Sequence, residues 1–319
     1  MMLQGKMLDQ KVVKMTDISL SIVVPHYNSP KTLIKLLNSI FDENVNDIEV
    51  IVVDDKSNKY LDEYDECIKL FEKKQVYFLK NNTEKKGAGV CRNIGLDNLS
   101  GEWILFADAD DYLLKGWYEC VKKHFESNDD VIFFYPTSLN LQTNQRGKRE
   151  QTYINVLDKY VTGEKGAEYW VRYYFNVPWS KMIKKELIET YGIRFDCTQY
   201  ANDVMFSAKV GYNMRSFQID KGSIYCVTEG EDSLTTKKSE EVNLIRTQVF
   251  TDRYIYLKER LSKEQWDMLP VKNEPLRRLY RVVQRKYGLK ALLKYIRLFR
   301  SKKIPIITRD TLLILFKGK

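Results

Sequence analysis

Histidine is almost missing from this sequence: His26 and His124 are the only two in 319 residues. Multi-histidine metal centres are therefore excluded, and a Ser-His-Asp hydrolase is a poor fit. The five cysteines (Cys67, Cys91, Cys120, Cys197 and Cys226) are odd in number, widely spaced and without a Cys-x-x-Cys pair. Neither a disulfide framework nor a zinc site is expected of them, and a reducing cytosol suits them best. No run reaches the roughly eighteen consecutive apolar residues of a membrane span, and the first residues lack the charged-then-apolar order of a secretory signal. A soluble or membrane-peripheral protein is expected. Internal repeats and low-complexity tracts are missing too. Carboxylates are left to carry most of the chemistry.

What is present is 44% hydrophobic residues, enough for a real core in one large domain or two modest ones. The net charge of +9 is unevenly spread. From Val271 to the end there are 15 Lys and Arg against 2 Asp and Glu, a surplus of +13 that leaves −4 for the rest of the chain. Basicity thus belongs to the tail, and no nucleic-acid partner is expected.

Residues 1–18 have no sustained period and are expected to form a loose arm. A rhythm of strand and helix then begins. Residues 20–24 read as a buried strand stopped by Pro25, 32–41 as a helix, 48–53 as a strand and 61–71 as a helix. The pattern continues with a strand at 76–79, a helix at 90–99, a strand at 103–107, a helix at 117–125 and a strand at 131–135. Such alternation predicts an α/β fold, a mostly parallel sheet flanked by helices, with ligands bound beyond the carboxyl ends of the strands. Residues 139–163 break every long period and predict a loop-rich insertion or an edge hairpin. Helices are expected at 167–175, 184–191 and 202–210, short strands at 215–219 and 223–227, and long helices at 241–261 and 275–299.

Two acidic clusters fall at strand ends: Asp54-Asp55 after the second strand and Asp108-Ala109-Asp110-Asp111 after the fourth. Carboxylates crowded there repel one another unless a cation lies between them, and hard oxygen ligands suit Mg2+ or Mn2+ and a phosphate-bearing substrate. Polar turns capping the next helix are the alternative. Two such clusters, both at ligand-facing ends, favour a site. Gly87 and Gly89 permit close backbone approach or merely connect. Arg92, in the turn that follows them, reaches a phosphate through its planar fork or pairs with an acidic cluster.

Taken in order, Val23-Val24-Pro25-His26-Tyr27-Asn28, Ile51-Val52-Val53-Asp54-Asp55-Lys56-Ser57, Gly87-Ala88-Gly89-Val90-Cys91-Arg92-Asn93-Ile94-Gly95 and Asp108-Ala109-Asp110-Asp111 resemble the family 2 glycosyltransferases of the GT-A fold. The likeness is to members that build bacterial polysaccharides and lipid-linked glycans. Gly192-Ile193-Arg194-Phe195-Asp196 followed by Asn202-Asp203-Val204-Met205-Phe206 resembles the region of the family's Glu-Asp pair, with Asn202 in place of the Glu. The resemblance covers residues 19–235 and implies a Rossmann-like GT-A domain over 19–238. It implies transfer of a sugar from a nucleotide donor, a UDP-hexose or UDP-N-acetylhexosamine, to a hydroxyl with inversion. Asp110 is then the metal ligand for Mn2+ or Mg2+, with Asp108 assisting it or holding the ribose. Pro25 and Tyr27 flank the base, Asp54 and Asp55 offer it a carboxylate, Arg92 serves the donor, and Asp203 is the catalytic base. Trp179 and Lys181 match the acceptor-side wall. Relatives often carry a loop histidine ligand where this chain has Glu229-Gly230-Glu231-Asp232-Ser233, so either an acid or water completes the metal shell, or these are solvated loop acids.

In the tail, Leu276, Leu279, Tyr280, Val283, Tyr287, Leu292, Tyr295, Ile296 and Phe299 interleave with nine Arg and Lys between Arg277 and Arg300. Such a stripe beside a basic face fits a helix lying on an anionic membrane, or one packed on the catalytic domain with its charges solvated. Residues 239–319 are expected to form this helical basic extension, with 312–316 too short to span a bilayer. The expectation is an inverting hexosyltransferase, peripheral on the cytoplasmic face of the plasma membrane, acting on a glycan or lipid-linked acceptor in cell-surface polysaccharide synthesis. The alternatives are a catalytically silent scaffold of the same fold and a receiver-type phosphate-binding regulatory domain.

Overall fold

The computed structural model describes residues 18–230 and 239–306. The arm at 1–17, the loop at 231–238 and the segment from 307 onward, including 312–316, lie outside the described residues.

The chain opens with β1 (Leu20–His26), α1 (Pro30–Phe41), β2 (Ile48–Asp54), α2 (Leu61–Leu70), β3 (Val76–Lys80), α3 (Ala88–Leu96) and β4 (Trp103–Phe106). β2 and β4 are buried along their whole length, as strands covered by helices on both faces must be. α1 starts at Pro30, whose fixed φ suits a first helical position, and turns Leu33, Leu36, Leu37 and Ile40 onto the sheet. β5 (Tyr112–Leu113), α4 (Trp117–Lys122), β6 (Val131–Phe134), β7 (Thr137–Asn140), β8 (Gln145–Arg146), α5 (Gln151–Val161) and α6 (Ala167–Tyr174) follow. Then come β9 (Lys181–Lys184), α7 (Lys185–Thr190), α8 (Asp203–Asn213), β10 (Phe217–Asp220) and β11 (Tyr225–Glu229).

The main sheet runs β10-β6-β9-β4-β1-β2-β3 and is mostly parallel; only β9 is antiparallel to its neighbours, β4 and β6. From β1 the order goes one way to β2 and β3 and the other way to β4, which makes the β1/β4 border the switch point where open sheets bind ligands. The pairing of β1 with β4 stops at Val23 and Phe106, while β1 runs on to His26 beside β2. Pro25 therefore does not end the strand. Its missing N–H faces the opening beyond Phe106, where no ladder bond is lost.

A second sheet, β5-β11-β7-β8, stands beside the acidic end of β4. Residues 139–163 contain the expected hairpin, β7 with β8, but also the helix α5, which buries only Val156 and Leu157 and so left too faint an apolar stripe to read.

The C-terminal part is helical: α9 (Glu240–Arg260), α10 (Lys263–Asp267), a 3-10 turn at Pro270–Asn273, α11 (Glu274–Gln284) and α12 (Leu289–Ser301). The long helix expected at 275–299 is two, broken where Gly288 takes φ +88°. Much of its stripe is core. Leu279, Tyr295 and Phe299 are buried against Tyr254, Leu257 and Trp266, in an apolar cluster that reaches Tyr173 of α6. Tyr280 and Val283 of that stripe stay exposed, joined by Leu289 and Leu293.

Candidate active site

Asp108 leaves β4 at the switch point. Its carboxylate accepts a 2.5 Å bond from Arg92 Nη2, and the same guanidinium donates through Nη1 to Asn202 Oδ1 at 2.9 Å. Arg92 is buried and lies 5.3 Å from the ring of Phe195, which is stacked on Phe206 at 3.8 Å. One cation thus ties α3 to the end of β4 and to the residue before α8. Both sequence readings of Arg92 put it beside the acids, and the structure forms the ion pair.

Two glycines make that approach possible. Gly87 sits at φ +125° and donates its N–H to Asp55 Oδ2 at 2.7 Å. A Cβ on Gly89 would lie 2.3 Å from Asp196 O and 2.9 Å from Asn202 Cβ, so only glycine lets α3 meet the 196–202 segment.

Asp203 begins α8 beside Asn202. Burial raises its pKa, and the Asp108 charge adds to this against the pull of Arg92 and Lys181. Asp110 is open to solvent yet its pKa is also raised, first by the protein mass around it and then by the Asp108 charge. Asp111 is buried, accepting from Tyr225 Oη at 2.7 Å and Thr228 N at 2.7 Å, and burial drives its pKa well up. The acidic tetrapeptide therefore divides into one residue paired with Arg92, one open, and one holding the second sheet.

On the other side of the switch point, Asp54 is buried. Its oxygens accept from His26 Nδ1 (2.9 Å), Ser57 Oγ (2.5 Å) and Ser57 N (3.0 Å), and His26 stacks on Tyr64 at 4.6 Å. Burial would raise its pKa, but these bonds prevail and lower it. Through these bonds Asp54 closes the loops after β1 and β2. Asp55 accepts from Asn81 Nδ2 at 2.7 Å as well as from Gly87. Tyr27 is 49% exposed with Lys86 Nζ 5.3 Å from its ring centre, so a flat apolar face is presented next to the half-buried Pro25.

Trp179 and Lys181 do not form a wall. Both are 1% exposed. Trp179 stacks on Tyr225 at 5.8 Å, and Lys181 Nζ donates to Phe175 O and Ser207 Oγ, each at 3.1 Å, its pKa pushed down to about 7 by burial. They belong to the layer beneath Asp203, because residues 181–184 form β9 in the middle of the sheet. Glu229, expected in a solvated loop, instead accepts from Ser138 Oγ and from Lys148 N and Arg149 N. Tyr225, Thr228 and Arg149 were not singled out by sequence; nothing local marks them, since their meaning lies in the second sheet.

Among the described residues no three His, Cys, Asp or Glu side chains are grouped to cage a metal. A hard divalent ion needs less: one or two carboxylates, with substrate phosphates and water completing its shell. The open Asp110 carboxylate, repelled by Asp108, fits that kind of site, with the substrate supplying the remaining ligands.

Sheet order, switch-point acids and covering helices are those of the GT-A glycosyltransferases. The chain belongs to Glycosyl transferase family 2, whose sequence pattern matches residues 21–192. It is 27% identical over 263 residues to Glycosyltransferase GlyA of Streptococcus pneumoniae, covering 72% of this chain and 35% of that protein, so it spans about a third of that relative. It is 29% identical over 228 residues to the GalNAc(5)-diNAcBac-PP-undecaprenol beta-1,3-glucosyltransferase of Campylobacter jejuni, covering 69% of this chain and 68% of the relative. The fold matches residues 1-349 of S. aureus TarS in complex with UDP-GlcNAc, with a TM-score of 0.65, 21% identity, and 90% and 82% of the two chains covered. It also matches the Pyrobaculum calidifontis mannosyltransferase PcManGT in complex with GDP-Man and Mn2+, with a TM-score of 0.58, 15% identity, and 94% and 79% covered.

Proposed function

We propose that this glycosyltransferase moves a hexose or N-acetylhexosamine from a UDP-sugar to a hydroxyl of a glycan or lipid-linked acceptor, with inversion, in cell-surface polysaccharide synthesis. The observation that carries the reading is the Arg92 bridge, which holds Asp108, at the donor end, and Asn202, the neighbour of Asp203, on one guanidinium. TarS with its bound UDP-GlcNAc and the Campylobacter relative named for an undecaprenol-linked acceptor support the choice of donor and acceptor.

In this reading the base stacks on Tyr27 near Pro25, and the diphosphate lies over Asp110. Asp203 removes the proton from the acceptor hydroxyl as its oxygen bonds to the anomeric carbon, and the bond from that carbon to the diphosphate breaks on the opposite face, releasing UDP. A buried carboxylate is a stronger base than an exposed one, which suits the task. A divalent ion on Asp110, with Asp108 beside it, would neutralise charge on the departing diphosphate. Asn202 in place of a carboxylate keeps the Arg92 bond without a second negative charge next to the base.

A panel of nucleotide sugars screened by thermal unfolding, with and without Mn2+, tests the donor. A UDP-sugar should raise Tm, by about 2.7 kcal/mol of stabilisation at a hundredfold excess over Kd. A rise with a different nucleotide alone would replace the UDP assignment.

The α11–α12 surface, residues 274–301, presents Tyr280, Val283, Leu289 and Leu293 with Arg277, Arg281, Lys286, Lys290 and Arg297 all exposed. We take residues 239–319 as a region that rests on an anionic membrane through this face. No described helix is long and apolar enough to cross a membrane. The variant Arg281→Glu/Lys290→Glu should lose most of its binding to vesicles rich in phosphatidylserine, read by sedimentation, and should regain nothing on neutral vesicles. Equal sedimentation of variant and parent would remove this face from the assignment.

A further inference from the structure

The turn before α5 is fixed to the end of β11. Glu229 Oε1 accepts from Lys148 N at 2.6 Å, Arg149 N at 2.8 Å and Ser138 Oγ at 3.0 Å. A Cβ on Gly147 would stand 2.1 Å from the same oxygen. Glu150, next along, is buried and accepts from Arg146 Nε at 2.9 Å. The backbone of Arg149 therefore has one position.

From there its half-buried side chain runs to Thr228, whose carbonyl lies 3.5 Å from Nη1. That long bond is the sole hydrogen bond of this guanidinium among the described residues, though the group has five N–H donors. Thr228 is also the residue that touches the acids, donating Oγ1 to Asp110 O and N–H to Asp111 Oδ1, each at 2.7 Å. The Arg149 charge is felt by Asp110 on one side and by Tyr153 on the other, and Tyr153 in turn feels Asp203. Through Thr228, the Arg149 side chain is one residue away from Asp110 and Asp111. Two neighbouring cations are committed, Arg92 to Asp108 and Asn202, Lys181 to Phe175 and Ser207.

We propose that Arg149 is a binding residue for the donor's diphosphate, a guanidinium carried on a rigidly held turn that takes up charge on the departing phosphate alongside the carboxylate of Asp110. The proposal rests on the donor reading above. When the anomeric carbon's bond to the diphosphate breaks, its electron pair goes to the terminal phosphate oxygen, and the negative charge there grows. A planar fork matches phosphate oxygens, and a guanidinium with most of its donors unspent can turn them to that charge as it develops. The charge at Arg149 is permanent, so diphosphate binding should survive removal of divalent ions.

Calorimetric titration of the full chain with UDP and with uridine, in EDTA and in Mn2+, tests this. Arg149→Ala should weaken UDP binding in EDTA by about ten- to a hundredfold, the range of a charge-assisted bond. Uridine affinity and Tm should not change. Arg149→Lys should recover part of the UDP affinity, and the loss in Arg149→Ala should be smaller in Mn2+. Unchanged UDP affinity in Arg149→Ala overturns the proposal. A parallel loss of UDP and uridine binding together with a lower Tm also overturns it, leaving Arg149 as a prop for the turn. If the parent protein binds other nucleoside diphosphates but neither UDP nor uridine, the uridine-donor reading falls and this assignment with it.

Discussion

Asp203→Asn is expected to lower sugar transfer by about 10²- to 10⁴-fold while UDP-sugar affinity stays as it was. The substitution keeps size and shape and removes only the capacity to take a proton. Stability should move the other way. Burial and Asp108 make the ionised carboxylate costlier in the folded protein than in the unfolded one, so its folded pKa is raised and at neutral pH it subtracts from stability. Asparagine removes that cost, and Tm should hold or rise as activity collapses. Initial rates, donor titration and thermal unfolding on the same preparation separate the outcomes. A collapse of donor affinity to match the rate would move Asp203 from the acceptor side to the donor side.

Asp110→Ala is the second large effect. Transfer should fall about 10³-fold or more, since charge neutralisation by a metal contributes several kcal/mol to such a step. The fold should not notice. The side chain is open to solvent, and it is the Asp110 carbonyl, not the carboxylate, that accepts from Thr228. Tm should therefore be unchanged without ligand, while the extra stabilisation that Mn2+ gives in the presence of UDP should vanish. Turnover retained by Asp110→Ala would defeat the assignment of this carboxylate to the metal.

The positions of Asp110 and Asp203 in the fold were legible in the sequence because each lies at the end of an element with a strong local signal. Residues 103–106 are apolar without a break, and the helix beginning at Asp203 follows a segment of recognisable pattern. The residues that failed to declare themselves depend on contacts far along the chain. Asp54 stands at a strand end in the sequence, and its bonds to His26 and Ser57 show only in the fold. Trp179 and Lys181 look like a wall until β9 is seen to run between β4 and β6, a short strand whose two central residues alone are apolar. Arg149 belongs to a stretch with no period, and only Glu229, eighty residues later, gives it a place. Sequence patterns record which face of an element is buried, and the partner that buries it has to be found in space.

The antiparallel β9 has a consequence for how the protein assembles. Without residues 181–184 the sheet is two separate blocks, β4-β1-β2-β3 and β10-β6, with no hydrogen bonds between them. The first block uses residues 20–106 and can pair as soon as they are made, whereas the strand that joins it to the second begins 75 residues further on. Closing so long a loop is paid for in chain entropy before any contact repays it, so the join should come late in folding. Asp203 and its helix come later in the chain still, so the site they share with Asp108 should acquire its native geometry only after that join. A chain cut before Lys181 would keep the nucleotide-side strands but lose the seam, and with it the means of holding the two halves of the reaction together.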